Sequence, residues 1–338
     1  MSSGIPGMVP TPVHLDDTYV DLVEREQRWH TRPGEVWGVD TGFQTINRKT
    51  GGLHPGFIAL GARTSHGKTA LSMQIALNVA QQIYDEWTEG DVPPAKVLIF
   101  SPEMNPDELM ERYASQMSGV PVMKIKRGRA SDEERSAWLA EAEALTLLAP
   151  CIDLYAGADQ SFGDIISIID QTMTAHREGG PGIKLVVVDY LQRLRYGAVG
   201  ETEYGALTRM ANALKTAANT YRIPILVASQ LNRAIERDHQ TGKMQERPPE
   251  LSDFHGSGAI EQACDMALLL WRPPEPVGET EAEQDGDDPN PVQRAFLYVK
   301  KNRHGPVGEA RLLFRPAVVR FEDPTGYYRG ARRAGSED

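Results

Sequence analysis

Residues 62–69 read Ala62-Arg63-Thr64-Ser65-His66-Gly67-Lys68-Thr69. An apolar run, Phe57-Ile58-Ala59-Leu60, comes before them, and Leu71, Ile75, Val79 and Ile83 come after. Those four recur at i, i+4, i+8 and i+12, which is one face of a helix. A strand, a tight turn and a helix start are the setting of a phosphate-binding P-loop. Backbone N–H groups at the helix N-terminus are then aimed to wrap an anion. Lys68 is expected to reach β- and γ-phosphates, and the Thr69 hydroxyl to ligate Mg²⁺. A glycine turn before an ordinary helix gives the same eight residues by chance; the flanking strand and helix weigh against it.

The alternation continues outward. Further apolar runs are Val97–Phe100, Ile152–Tyr155, Leu185–Val188 and Ile225–Ala228. Helical stretches separate them. One opens Asn105-Pro106-Asp107-Glu108, with a cap, a first-turn proline and acids. Another opens with the capping box Ser131-x-x-Glu134. Two more are expected near 162–177 and 203–221. Continuous apolar strands between helices predict an α/β fold, with a mostly parallel sheet covered on both faces. After residue 265 the texture becomes strand-rich: Met266–Trp271, Arg294–Lys300, Ala310–Phe314 and Val318–Phe321. These predict one more strand of the main sheet and then antiparallel hairpins. A short amphipathic helix is expected over 15–30, with Tyr19, Val20, Leu22 and Val23 on its apolar side. Residues 1–14 and 324–338 read as flexible tails.

Composition bounds the possibilities. The chain has 338 residues and a net charge of −11, which argues against a protein that coats DNA broadly. Glu275, Glu279, Glu281, Glu283, Asp285, Asp287 and Asp288 fall within 273–293, a stretch without Lys or Arg. That stretch reads as an acidic disordered insertion; a decoy for DNA phosphates is the alternative. No apolar run approaches the ~20 residues of a membrane helix, and the N-terminus lacks the pattern of a signal peptide. Cys151 and Cys264 lie far apart without metal-ligand spacing. A reduced, cytoplasmic setting and a structural role for both are expected.

Polar residues end the apolar runs: Glu103 after Ser101-Pro102, Asp189 after Val188, and Gln230 after Ser229. In a parallel sheet those ends share one rim, where ligands bind. Lys68, Thr69, Glu103, Asp189 and Gln230 should therefore converge. They suit triphosphate hydrolysis: Asp189 as a Walker B acid for Mg²⁺, partly through water, Glu103 to polarise the attacking water, and Gln230 to sense the γ-phosphate.

In this order the motifs resemble the RecA-like motor domain of DnaB-type replicative helicases. The matching segments are Thr41-Gly42-Phe43, Gly51-Gly52-Leu53-x-Pro55-Gly56, the P-loop, Val97 to Met104, Val188-Asp189-Tyr190-Leu191-Gln192, Ala228 to Arg233, Gly256 to Gln262, and Lys301 to Gly308. They span residues 40–323. The resemblance implies ATP with Mg²⁺, a homo-hexameric ring around single-stranded DNA, and movement that is usually 5′ to 3′. It implies that Arg303 is an arginine finger acting in trans, with Lys301 beside it, although a solvated basic hairpin has the same residues. It implies that the segment 15–35 is a linker helix packing on a neighbouring subunit. Loops after Asp189 and Gln230 should face the channel, which makes Arg195, Arg237, Lys243 and Arg247 candidates for DNA phosphates. Gly258 keeps room for a close approach.

Two departures stand out. His255 and Gly256 replace the family's usual Arg-Glu, and His66 stands where methionine is common. About fourteen residues precede the first helix, where relatives usually carry a collar domain that meets primase. That resembles phage- or plasmid-borne forms and leaves a primase or loader partner open. The rival expectations are a RecA-like ATPase that does not unwind, and a non-catalytic ring scaffold.

Overall fold

The computed structural model describes residues 15–31, 36–88, 94–102, 104–157, 160–189, 202–231, 247–254, 257–274 and 292–326. Six apolar runs become parallel strands: β1 (Gly56–Ala62), β2 (Lys96–Ser101), β3 (Ile152–Ala156), β4 (Ile183–Val188), β5 (Pro224–Gln230) and β6 (Met266–Trp271). The strands β7 (Gln293–Asn302), β8 (Gly308–Arg315) and β9 (Arg320–Glu322) follow. All nine form one sheet in the order β3-β2-β4-β5-β1-β6-β7-β8-β9. Pairing is parallel from β3 to β6 and antiparallel from β6 to β9. The predicted hairpins thus extend the main sheet.

The helices are α1 (Leu15–Thr31), α2 (Gln44–Thr50), α3 (Lys68–Thr88), α4 (Pro106–Ser118), α5 (Val122–Lys126), α6 (Asp132–Leu147), α7 (Phe162–Arg177), α8 (Glu203–Tyr221) and α9 (Ser257–Ala263). Strand side chains alternate between two cores, as a two-residue period requires. Ile58, Leu60, Val97, Ile99, Leu185 and Val187 pack with Leu71, Ile75, Val79 and Ile83 of α3. Phe57, Ala59, Leu98, Phe100, Val186 and Val188 pack with Ile165 and Ile169 of α7 and Leu207, Met210 and Leu214 of α8. Each such fully buried side chain contributes about 2 kcal/mol of transfer free energy. The central strand β1 is buried along its whole length, while the edge strand β3 is half-buried throughout.

Local signals place the helix ends. Ser131 and Ser161 each form a complete capping box at the start of α6 and α7. The expected strand over Val318–Phe321 is corrected: Val318 and Val319 belong to the turn, and β9 begins at Arg320. Val319 takes φ 54°, which a β-branched residue rarely adopts. Gln116 of α4 holds that turn. Its amide donates to the Val319 carbonyl at 2.9 Å, and Arg320 donates to the Gln116 carbonyl at 2.9 Å.

The chain divides into two units, Met1–Val36 and Trp37–Asp338. In the first, α1 is the described helix, and Leu15, Tyr19, Val20 and Leu22 on it are exposed. The tail 1–14, most of the tail 324–338 and most of the acidic stretch (275–291) lie outside the described residues. Among the described residues no helix is long and apolar enough to cross a membrane.

Candidate nucleotide site

β1 ends at Ala62 and α3 begins at Lys68, so residues 63–67 form the loop between them. The His66 N–H donates to the Arg63 carbonyl at 3.2 Å and closes the turn. Ser65 and Gly67 take left-handed φ values of 64° and 93°. A side chain at Gly67 fails on two counts: that φ disfavours it, and a Cβ would sit 2.8 Å from the Phe321 ring. The Leu71 N–H reaches the Gly67 carbonyl at 2.9 Å, so the helical ladder starts inside the loop. The loop thus leads directly into the N-terminus of α3, where the first backbone N–H groups have no partner within the helix.

The loop opens on a cavity of about 580 Å³, a size that suits a small-molecule ligand. Ala62, Arg63, Thr64, Ser65, Gly67, Lys68 and Thr69 form one wall. Gln230 borders it from β5, directly across the register from Ala62. The Gln230 amide donates to Thr64 Oγ1 at 3.0 Å, tying the strand end to the P-loop. Asp189 follows β4 on the same rim. It is buried, and its N–H donates to the Phe100 carbonyl at 2.8 Å. Lys68, Thr69, Asp189 and Gln230 thus share the C-terminal rim of the sheet. Glu103 lies outside the described residues; Met104 beside it donates its N–H to Ser101 Oγ at 3.2 Å.

The donor set fits a magnesium nucleotide. Thr69 offers a hydroxyl at the start of α3, and Asp189 a buried carboxylate after β4. Mg²⁺ held chiefly by phosphate and water, with one or two protein oxygens, matches that.

Sequence reasoning missed the far wall: Arg112 of α4, Arg272 just after β6, and Phe314, Pro316 and Val319 from the β8–β9 region. Arg272 stands where an apolar strand ends, the same kind of position that marks Glu103, Asp189 and Gln230. Nothing in the sequence marks the other four. His66 has a structural part: the Arg272 backbone N–H donates to its Nδ1 at 3.1 Å. Burial, with Arg272 and Arg63 nearby, lowers the His66 pKa to about 4 and keeps the ring neutral.

Lys301 and Arg303 are elsewhere. Arg303 follows β7, and its N–H donates to the Asp265 carbonyl at 3.0 Å. Asp265 in turn donates its N–H to the Phe57 carbonyl, at the start of β1. Phe57 and Ala62 lie five positions apart along β1, about 17 Å at 3.3 Å per residue. Arg303 therefore lies toward the rim opposite the P-loop of its own chain. The Lys301 ammonium donates to the Glu261 carbonyl at 2.6 Å.

Of the DNA candidates, Arg195, Arg237 and Lys243 lie outside the described residues. Arg247 forms a two-pronged pair with Asp253, both contacts at 2.9 Å. Gly258 lies in α9, and a Cβ there would be 3.1 Å from the Tyr204 hydroxyl, so its close approach is to this chain.

Residues 38–323 match the DnaB-like helicase C terminal domain. The chain belongs to that family. The replicative DNA helicase DnaB of Pasteurella multocida is 31% identical over 305 residues, covering 90% of this chain and 59% of the relative. That of Buchnera aphidicola from Acyrthosiphon pisum is 29% identical over 313 residues, covering 92% and 61%. The chain thus spans about 60% of the length of these DnaB relatives. A solved ATPase domain superposes with a TM-score of 0.72 at 25% identity, covering 93% of this chain and 99% of that one. A DnaB-like replicative helicase, solved for its interactions with primase, superposes with a TM-score of 0.71 at 26% identity, covering 92% and 68%. The nine-stranded, mostly parallel sheet is accordingly the RecA-like core of DnaB-like helicases.

Proposed function

We propose that this chain is the ATP-driven motor of a DnaB-like helicase, acting as a homo-hexameric ring that moves 5′ to 3′ on single-stranded DNA in replication. The observation that carries the reading is the shared rim: the P-loop, Asp189 and Gln230 stand at the ends of three adjoining strands, and the P-loop and Gln230 line one cavity. Membership in the DnaB-like family supports the rest.

In this reading the P-loop amides and Lys68 hold the β- and γ-phosphates of ATP. Thr69 and Asp189 hold Mg²⁺, whose charge, when bound, neutralises developing negative charge on the phosphate oxygens. Glu103 orients the attacking water and accepts its proton. Gln230, bonded to Thr64, exchanges that bond for one to the γ-phosphate and links nucleotide state to the loop after β5. Arg303 enters the site of the next subunit and stabilises charge in its transition state. The opposite-rim position of Arg303 favours this, because one chain cannot bring Arg303 to its own P-loop without rearranging the sheet. Lys301 stands beside it as a second cation. α1 packs on the neighbouring subunit and helps close the ring. Arg195, Arg237 and Lys243 meet the DNA backbone; Arg247 would have to leave Asp253 to join them. Primase and a helicase loader are partners of the assembled ring, in the cytoplasm.

The test is phosphate release with and without a poly-T strand, followed by strand separation on a forked duplex. DNA-stimulated release with unwinding is expected. Release without unwinding would favour a RecA-like ATPase, and no release above a boiled control would reject the reading.

A further inference from the structure

β1 stops pairing with β6 at Ala62 opposite Leu270, because the chain turns into the P-loop. The next amide of β6 beyond Trp271 belongs to Arg272. Instead of continuing a ladder, it donates to His66 Nδ1 at 3.1 Å. The guanidinium of the same residue donates to the Ser65 carbonyl. Ser65 is the non-glycine residue of the loop with φ 64°, a conformation that costs on the order of 1 kcal/mol or more. One residue therefore grips two successive positions of the phosphate cradle, once by its main chain and once by its side chain.

The guanidinium is itself fixed. A second nitrogen donates to Gln293 Oε1 at 3.0 Å, and the plane lies over the Phe314 ring with 4.1 Å from Cζ to the centroid. A planar fork can bond in two directions and stack at once, which a lysine ammonium cannot do. The neutral state of His66 suits its part as acceptor, since a protonated ring would have no lone pair at Nδ1. Arg272 also borders the cavity.

We propose that Arg272 is a positioning residue that sets the P-loop in its anion-binding conformation before nucleotide arrives, through Ser65 and His66. It acts through the backbone of the loop: with Ser65 held left-handed, the loop keeps its shape without a further ordering cost on binding. The proposal deepens the nucleotide-site reading and rests on it for the identity of the anion. The pre-ordering itself does not need ATP.

Hydrogen exchange on the full chain without nucleotide reads the pre-ordering directly. Wild type, Arg272→Ala and Arg272→Lys are compared at residues 62–70, with β2 as internal control. Both variants are expected to exchange about tenfold faster over 62–70 and unchanged over β2, the signature of local opening. Affinity for ATP, and for tripolyphosphate as a probe without a base, should fall about tenfold in both, the size of one charge-assisted hydrogen bond. Unchanged exchange over 62–70 in both variants would overturn the proposal. So would full recovery by Arg272→Lys, which would mean that charge alone matters. If wild type binds no ATP, the nucleotide reading fails while the exchange result still decides whether Arg272 orders the loop.

Discussion

Arg303 is ion-paired with Asp265 at 3.1 Å, on the side of the sheet away from the P-loop. Asp265 does not depend on it. Lys215 also pairs with Asp265 at 3.1 Å, and the Phe57 N–H donates to its other oxygen at 3.1 Å. Arg303 is half-exposed, so its loss should cost the fold less than about 1 kcal/mol. Asp265→Ala should cost more, about 2–4 kcal/mol, since it strands Lys215 and a buried amide. Urea unfolding of the two variants checks the contrast. A loss above ~2 kcal/mol for Arg303→Ala would mark it as a structural cation.

Lys68→Ala and Gln230→Ala should fail differently. Lys68 faces the cavity beside the loop amides, so its removal should weaken nucleotide binding itself. Gln230 bonds to the loop through Thr64 and borders the cavity. Its removal should leave binding within a few-fold and lower turnover about 100-fold. Titration with a fluorescent ATP analogue, set beside single-turnover rates, separates them. A matched loss of affinity in both would deny Gln230 a part in the chemical step.

Gly67→Ala tests the shape of the cradle. The new Cβ meets the Phe321 ring at 2.8 Å in a left-handed backbone. A destabilisation of about 1–3 kcal/mol is expected, with loss of nucleotide binding. Thermal unfolding and the same titration check it; a variant as stable and as tight as wild type would show that the loop is not confined by Phe321.

Much of this site is legible in the chain because it sits where regular signals stop. The P-loop, Asp189 and Gln230 each follow an unbroken apolar run, and a parallel sheet brings such ends together. The helix start at Ser131 was equally readable from its capping box. Strand order was not, because Ile58 and Val187 carry the same apolar signal whichever neighbour they take. The far wall of the cavity was not legible either. Arg112, Phe314 and Val319 come from elements remote in sequence, and their convergence depends on the antiparallel extension of the sheet. Val318-Val319 misled outright: two β-branched residues read as strand, while the β8–β9 connection forces one of them into a left-handed turn pinned by Gln116.

His66 gives the structure an acid-sensitive point. Its folded pKa is about 4, below the usual 6.5, so between those values the unfolded chain takes up a proton that the folded chain refuses. Stability linked to His66 is complete above pH 6.5 and declines as pH falls toward 4. His66→Gln removes that uptake and should lose less stability across the same window, by on the order of 1 kcal/mol. Unfolding midpoints at pH 7, 5.5 and 4.5 measure it; parallel pH curves for the two proteins would rule out a depressed histidine.

The central claim is that hydrolysis at one P-loop is completed by Arg303 of a neighbouring subunit, and mixing tests it most directly. Arg303→Ala and Lys68→Ala chains, each inactive alone, are combined at fixed total concentration with ATP and a poly-T strand, and turnover is followed against the mixing ratio. An arginine supplied in trans is worth about 10³-fold or more in rate. The Arg303→Ala chain keeps its P-loop and the Lys68→Ala chain keeps its arginine, so turnover should reappear on mixing and peak near equal amounts. Mixtures that stay as inactive as either variant alone would contradict the claim.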